Sequence, residues 1–151
     1  IRLSLVGSEM CIRDRQSADL HSSGFTQRVI HRYLQDNDFD RHLQRLKDHY
    51  GSQCRSMLSA ISRHFPSEIH YTRPEGGMFL WASLPQNASA KRLFEKAIKE
   101  QVAFVPGHPF YIGKDDSCCL RLNFTNADET TIAQGIEILG GVMKEEIKDI
   151  R

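Results

Sequence analysis

The sequence predicts a two-layer α/β domain of the α+β kind, with the element order ααββαββα. Three observations predict it. Apolar residues recur at steps of three and four from Gln16 to Phe65, the period shortens to two in several segments after Pro66, and the chain closes on another long helical repeat. A chain of 151 residues, 40% hydrophobic and 26% charged, is long enough to bury roughly 68–70% of its unfolded surface. Its core therefore needs neither disulfide nor metal.

In the first helix Leu20, Phe25, Val29, Ile30, Tyr33 and Leu34 fall on one broad face. Asp36-Asn37-Asp38 ends it and can cap the next. The second helix carries Phe39, Leu43, Leu46, Tyr50, Cys54, Leu58, Ile61 and Phe65 on one face and stops at Pro66. Its other face (Asp40, Arg41, Arg45, Lys47, Asp48, Arg55) carries both signs of charge, as a solvated surface does. Ile69-His70-Tyr71-Thr72 reads as a short strand, residues 73–77 as a turn, and Met78-Phe79-Leu80-Trp81-Ala82 as a buried strand. Ser89 is placed to cap a helix that turns Leu93, Phe94, Ala97 and Ile98 inward. Val102-Ala103-Phe104-Val105 reads as a strand closed by a type II turn at Pro106-Gly107. Residues 118–124 form a further strand. Asn126 with Glu129 then makes a capping box for a last helix that faces Ile132, Ile136, Leu139, Val142, Met143 and Ile147 to the core.

Residues 1–15, IRLSLVGSEMCIRDR, fit neither period and resemble a translated sequencing-adaptor read-through. They are expected to be non-native, which leaves 16–151 as the domain and gives Cys11 no functional weight. Lys plus Arg number 20 against 19 for Asp plus Glu, so no concentrated basic field calls for nucleic acid or an anionic membrane. No run approaches the length that spans a bilayer. The four cysteines, at 11, 54, 118 and 119, show no C-x-x-C spacing, and the seven histidines are scattered. In a strand the side chains of Cys118 and Cys119 would point to opposite faces, so no metal site is expected.

No P-loop, G-x-G-x-x-G or G-x-S-x-G is present. Gly76-Gly77 allows close approach of a ligand to the backbone, although a double glycine is more often a plain turn. The sharper feature is Arg121, the one charged residue in the strand 118–124. Its planar fork suits a carboxylate or phosphate. A structural ion pair and an exposed strand position are the competing readings.

RPEGGMFLWASLP (73–85), VAFVPGHPFY (102–111) and LRLNFTNADETTIAQGIEILGGVM (120–143) occur in this order. Together they resemble the C-terminal part of fold type I, pyridoxal-phosphate-dependent class I/II aminotransferases, in the 2-aminoadipate, kynurenine and aromatic multisubstrate branch. Residues 16–34 resemble the helix that leaves the cofactor domain there, so the resemblance covers about residues 16–149. It implies that Arg121 clamps the α-carboxylate of an amino acid or 2-oxo acid, with Gly77 and Phe79 at the pocket mouth and Val105-Pro106-Gly107 and Phe110 shaping the loop beside it. It further implies a cytoplasmic homodimer using pyridoxal 5'-phosphate, without nucleic acid or membrane. The family's lysine, which bonds covalently to that cofactor, should lie before residue 16, yet the first lysine here is Lys47. None of the family's cofactor-binding residues maps onto the chain, which is therefore expected to be an inactive fragment. The alternative is the ligand-sensing, aminotransferase-like domain of a winged-helix transcription regulator, and a freestanding interaction domain is a third reading.

Overall fold

A computed structural model describes residues 14, 16–18, 23–113 and 117–149. Cys11, Leu20 and the rest of 1–13 lie outside the described residues. The chain divides into two units, Ile1–Gln44 and Arg45–Arg151, each described by itself.

In the first unit, helix α1 (Gly24–Asp36) begins where the Ser23 hydroxyl accepts the Thr26 N–H and ends where Asn37 turns its N–H and side-chain amide back to the Tyr33 carbonyl. Arg32 and Asp36 pair one turn apart at 2.6 Å. The helical period of Phe25, Val29, Ile30, Tyr33 and Leu34 is as expected, but all five are exposed, Phe25 by 79%. Asp38 accepts the Arg41 N–H and so caps helix α2 (Phe39–His64), which runs on into the second unit.

In the second unit the buried line of α2 is Gln53, Met57, Ala60 and Ile61, with Tyr50, Cys54, Leu58 and Phe65 partly buried beside it. The expected stripe lay slightly to one side of this line, because a polar residue, Gln53, occupies a core position. Its amide donates to the Ala127 carbonyl at 2.6 Å, which satisfies one of two buried groups and ties α2 to the start of the last helix.

Four antiparallel strands follow the order β1-β2-β4-β3: β1 (His70–Tyr71), β2 (Phe79–Ser83), β3 (Val105–Pro106) and β4 (Cys119–Asn123). The central pair sets Phe79 opposite Asn123, Trp81 opposite Arg121 and Ser83 opposite Cys119. Alternation along each strand then sends Leu80, Ala82, Leu120 and Leu122 to one face, where all four are buried. They join Met57, Ala60 and Ile61 of α2, Leu93 and Ala97 of helix α3 (Ala90–Lys99), and the inward residues of helix α4 (Glu129–Lys148) in one core. The six residues expected to face inward on α4 are all buried. This is the two-layer arrangement that the sequence predicts.

Several local expectations are corrected. The strand expected at 102–105 shrinks to Val105–Pro106, because Val102 closes the end of α3: its N–H reaches the Ala97 carbonyl while Gln101 takes φ 60°. Ile98, expected inward, is 47% exposed, one position round the helix from buried Ala97. Ser89 caps α3 as expected. Helix α4, however, is capped by Asp128, whose carboxylate accepts the Thr131 N–H at 2.7 Å, and not by Asn126. Holding the Ala127 carbonyl to Gln53 delays the helix, and Glu129 accepts the Ser52 hydroxyl in place of closing a capping box.

Helices α3 and α4 are also joined electrostatically. Glu146 is 1% exposed, which would be costly without partners. Arg92 lies 2.9 Å and Lys96 2.8 Å from its two carboxylate oxygens, and Lys96 also reaches Asp149 at 2.7 Å. The hydrogen bonds that Lys96 donates to Asp149 and then to Glu146 raise its pKa, while the same Lys96 contact lowers that of Asp149.

Two tests follow from this packing. A Cβ added at Gly140 would stand 2.5 Å from the His64 carbonyl oxygen, whereas one added at Gly141 would meet nothing within 4 Å. Gly140→Ala is expected to cost about 1–3 kcal/mol in urea unfolding, and Gly141→Ala to be neutral or to stabilise by about 0.4–1 kcal/mol. Backbone and side-chain bonds from Thr131 hold Asp128 below the usual carboxylate range. The unfolded chain then binds the proton more readily, so this contribution is present above the ordinary carboxylate pKa and lost as pH falls through the lowered folded value. Asp128→Asn keeps the cap acceptor, so the variant should melt like the parent at neutral pH and lose less stability between pH 5 and pH 2 (about the titration range of a depressed carboxylate).

Candidate functional site

The sheet face opposite the core carries the chemistry. Register places Phe79, Trp81 and Ser83 of β2 beside Asn123, Arg121 and Cys119 of β4, and Val105 of β3 opposite Arg121 from the other side. None of these seven is buried. Arg121 therefore stands at the centre of the open face, with a strand on each side.

Its guanidinium carbon lies 4.0 Å from the Phe79 ring centroid and 4.8 Å from that of Phe110. Such contacts favour a cation over the ring and fix the plane of the fork. Trp81 supports them: its ring meets Phe110 edge-on at 5.5 Å and Tyr111 at 6.4 Å. Among the described residues no carboxylate pairs with Arg121, and its buried Nε has no hydrogen-bond acceptor. A buried donor left unmade costs about 1–3 kcal/mol. The site is thus a preoriented cation, walled by aromatic rings, with donor capacity left for a planar anion. Among the described residues no structural ion pair, one of the readings the sequence left open, holds this arginine.

Phe110 arrives on a one-turn 3-10 helix, His108–Phe110. The type II turn expected at Pro106-Gly107 is not formed, since Gly107 has φ −76° and ψ −18°. Glycine is required there by space. Its N–H donates to the Cys119 carbonyl at 2.7 Å, and a Cβ would meet that oxygen at 2.8 Å and Cys119 Cβ at 2.9 Å. Gly77, by contrast, is required by conformation: at φ 83° it turns the chain into β2 two residues before Phe79. Nothing lies within 4 Å of where its Cβ would be.

The two cysteines also depart from expectation. Cys118 lies just before β4 and packs against the core while Cys119 is in phase with Arg121, yet their sulfurs lie 3.9 Å apart. Cys119 Sγ further contacts the Ser83 hydroxyl at 3.5 Å and the Tyr111 hydroxyl at 3.7 Å. Burial raises the Cys119 pKa, but these hydrogen bonds outweigh it and leave the thiol below its ordinary value. Among the described residues no three His, Cys, Asp or Glu side chains converge as metal ligands.

Of the residues picked out in the sequence, Arg121, Phe79 and Phe110 are brought together, and Gly77 shapes the approach to them. Trp81, Tyr111 and the Cys118–Cys119 pair were missed as neighbours. Trp81 was within reach, because it follows Phe79 by two residues and must share its face.

The 2-aminoadipate transaminase of Thermus thermophilus is 40% identical over 133 residues, 88% of this chain. The chain is homologous to about one third of an aminotransferase. It spans only 33% of that relative's length. A multiple substrate aminotransferase from Thermococcus profundus superposes with a TM-score of 0.82 at 34% identity, covering 91% of this chain and 34% of that one. An alpha-aminoadipate aminotransferase from Thermus thermophilus, complexed with N-(5'-phosphopyridoxyl)-L-leucine, superposes with a TM-score of 0.78 at 38% identity, over 91% of this chain and 35% of the other. The two-layer domain therefore shares the fold of about one third of these aminotransferase chains. An HTH-type transcriptional regulator of Escherichia coli matches more weakly, at 27% identity over 85% of this chain and 27% of its own length, and so does not favour the regulator reading. No family model matches the chain. No described helix is long and apolar enough to cross a membrane.

Gly107→Ala should shift the turn that carries Phe110 and cost about 1–3 kcal/mol. Trp81 is the sole tryptophan, so its emission and near-ultraviolet circular dichroism should change in this variant and stay unchanged in Gly76→Ala, where an added Cβ meets nothing within 4 Å.

Proposed function

We propose that this chain is the C-terminal, smaller-domain part of a pyridoxal-phosphate-dependent aminotransferase, and that Arg121 binds the α-carboxylate shared by its amino acid and 2-oxo acid substrates. The observation that carries the reading is the guanidinium of Arg121, aligned by Phe79 and Phe110 and, among the described residues, without a carboxylate partner. A bidentate clamp there fixes the substrate's orientation about Cα, which is where a transaminase must move a proton. Phe79 and Phe110 keep water from the guanidinium faces and so strengthen the pairing. Residues 1–15 are read as foreign to the domain, and the parent as a cytoplasmic homodimer.

The cofactor would supply an electron sink for the substrate's reacting carbon. The donor set here fits the substrate and not the cofactor's covalent anchor. Every described lysine lies on a helix (Lys47 on α2, Lys91, Lys96 and Lys99 on α3, Lys144 and Lys148 on α4), and none stands on the open sheet face beside Arg121. That lysine is accordingly assigned to the part of the relatives' length that this chain does not span.

Arg121→Gln in the intact parent enzyme tests the reading. Losing one partner of a desolvated charge pair costs about 2–5 kcal/mol, so kcat/KM should fall roughly 30-fold or more for amino acids and 2-oxo acids alike. Turnover of amines that lack the α-carboxylate should be unaffected, and an equal loss for both classes overturns the assignment. The chain alone, incubated with pyridoxal phosphate and borohydride, should yield no stoichiometric adduct at a unique lysine.

A further inference from the structure

The adjacent cysteines at the start of β4 have a geometry that the carboxylate site does not use. Their sulfurs are 3.9 Å apart. A disulfide bond is about 2.05 Å long, so closing one would draw the sulfurs together by roughly 1.9 Å. The backbone resists such a movement, because the Cys118 carbonyl is held by Leu84 N–H at 2.7 Å and the Cys119 carbonyl by Gly107 N–H at 2.7 Å. A single atom bonded to both sulfurs needs no such movement. Two metal–thiolate bonds of about 2.3 Å meeting at a tetrahedral angle hold their sulfurs about 3.8 Å apart.

We propose that Cys118 and Cys119 form a two-thiolate clip for a soft divalent d10 cation of the zinc and cadmium class at the start of β4, Cys119 from the face of Arg121 and Cys118 from beside the core. Both cysteines are half-buried and neither is in a disulfide. The Ser83 and Tyr111 hydroxyls, at 3.5 and 3.7 Å from Cys119 Sγ, are placed to hydrogen-bond the bound sulfur. Binding releases one proton from each thiol, forms two metal–sulfur bonds and leaves the cation's charge balanced by two thiolates. Among the described residues no third His, Cys, Asp or Glu joins them, and in the proposed site water completes the coordination. That makes an open, exchangeable site, unlike the closed four-ligand sites that hold folds together. Tyr111 links the clip to Trp81, so occupancy has an optical reporter.

The test uses the chain with Cys11→Ser and Cys54→Ser, titrated with cadmium chloride. One cadmium per chain should raise thiolate-to-cadmium charge-transfer absorption and change Trp81 emission. Cys118→Ser and Cys119→Ser, added singly, should each weaken binding at least 100-fold. In the unsubstituted chain, cadmium should protect Cys118 and Cys119 from iodoacetamide, as mapped by mass spectrometry, independently of how the serine variants fold. The proposal is overturned if the absorption band survives in the variant lacking both cysteines, if one cadmium is bound per two chains, or if alkylation at 118 and 119 is the same with and without cadmium.

Discussion

The antiparallel register between β2 and β4 decides what every other part of the domain can do. With Trp81 opposite Arg121 and Leu80 opposite Leu122, the leucines and Ala82 enter the core while the arginine and the aromatic rings remain on the open face. A slip of one residue in either strand would exchange those faces. It would drive an unpaired guanidinium among Leu93, Leu139 and Met143, where an isolated charge is far more costly than the hydrophobic gain from one side chain. The same arginine that makes the site thus helps to forbid the wrong fold.

Around that register the helices have separate tasks. Helix α4 supplies the largest share of the core, six aliphatic or sulfur-bearing side chains on one stripe. It lies so close to α2 that only a hydrogen fits between Gly140 and the His64 carbonyl. Helix α2 spends a core position on Gln53, whose amide anchors Ala127 and thereby sets where α4 begins. Position of the site follows from this. The chain leaves β4 at Asn123 and must enter α4 at Glu129, so the α2–α4 contact holds one end of the strand that carries Arg121.

Periodicity made the helices and the central strands legible in the sequence, because these are the elements whose burial is repeated over many residues. The misplacements fall where a single contact decides. Asn126 and Asp128 are both good caps, and only the bond from Gln53 to Ala127, 74 residues apart in sequence, selects the second. Val102 belongs to a strand-like run, yet the turn at Gln101 takes its N–H for the end of α3. Arg121 was recognisable as a lone charge in an apolar strand, and family resemblance sharpened that reading. Its aromatic neighbours required knowledge of which strand lies beside which, which periodicity within one strand does not contain.

The ion-pair network of Arg92, Lys96, Glu146 and Asp149 gives the domain an uneven response to heat. Charged groups become less costly to keep dehydrated as temperature rises, while hydrophobic gain per unit area levels off. The α3–α4 seam should therefore hold its strength on warming. The two-residue strands β1 and β3 have only a few backbone bonds each to lose, and they form the sheet's two margins. Opening is accordingly set to start at the edges and travel inward, reaching first the strand beside Arg121 that carries Val105. Heat would loosen one wall of the proposed anion site well before it dissolved the core beneath it.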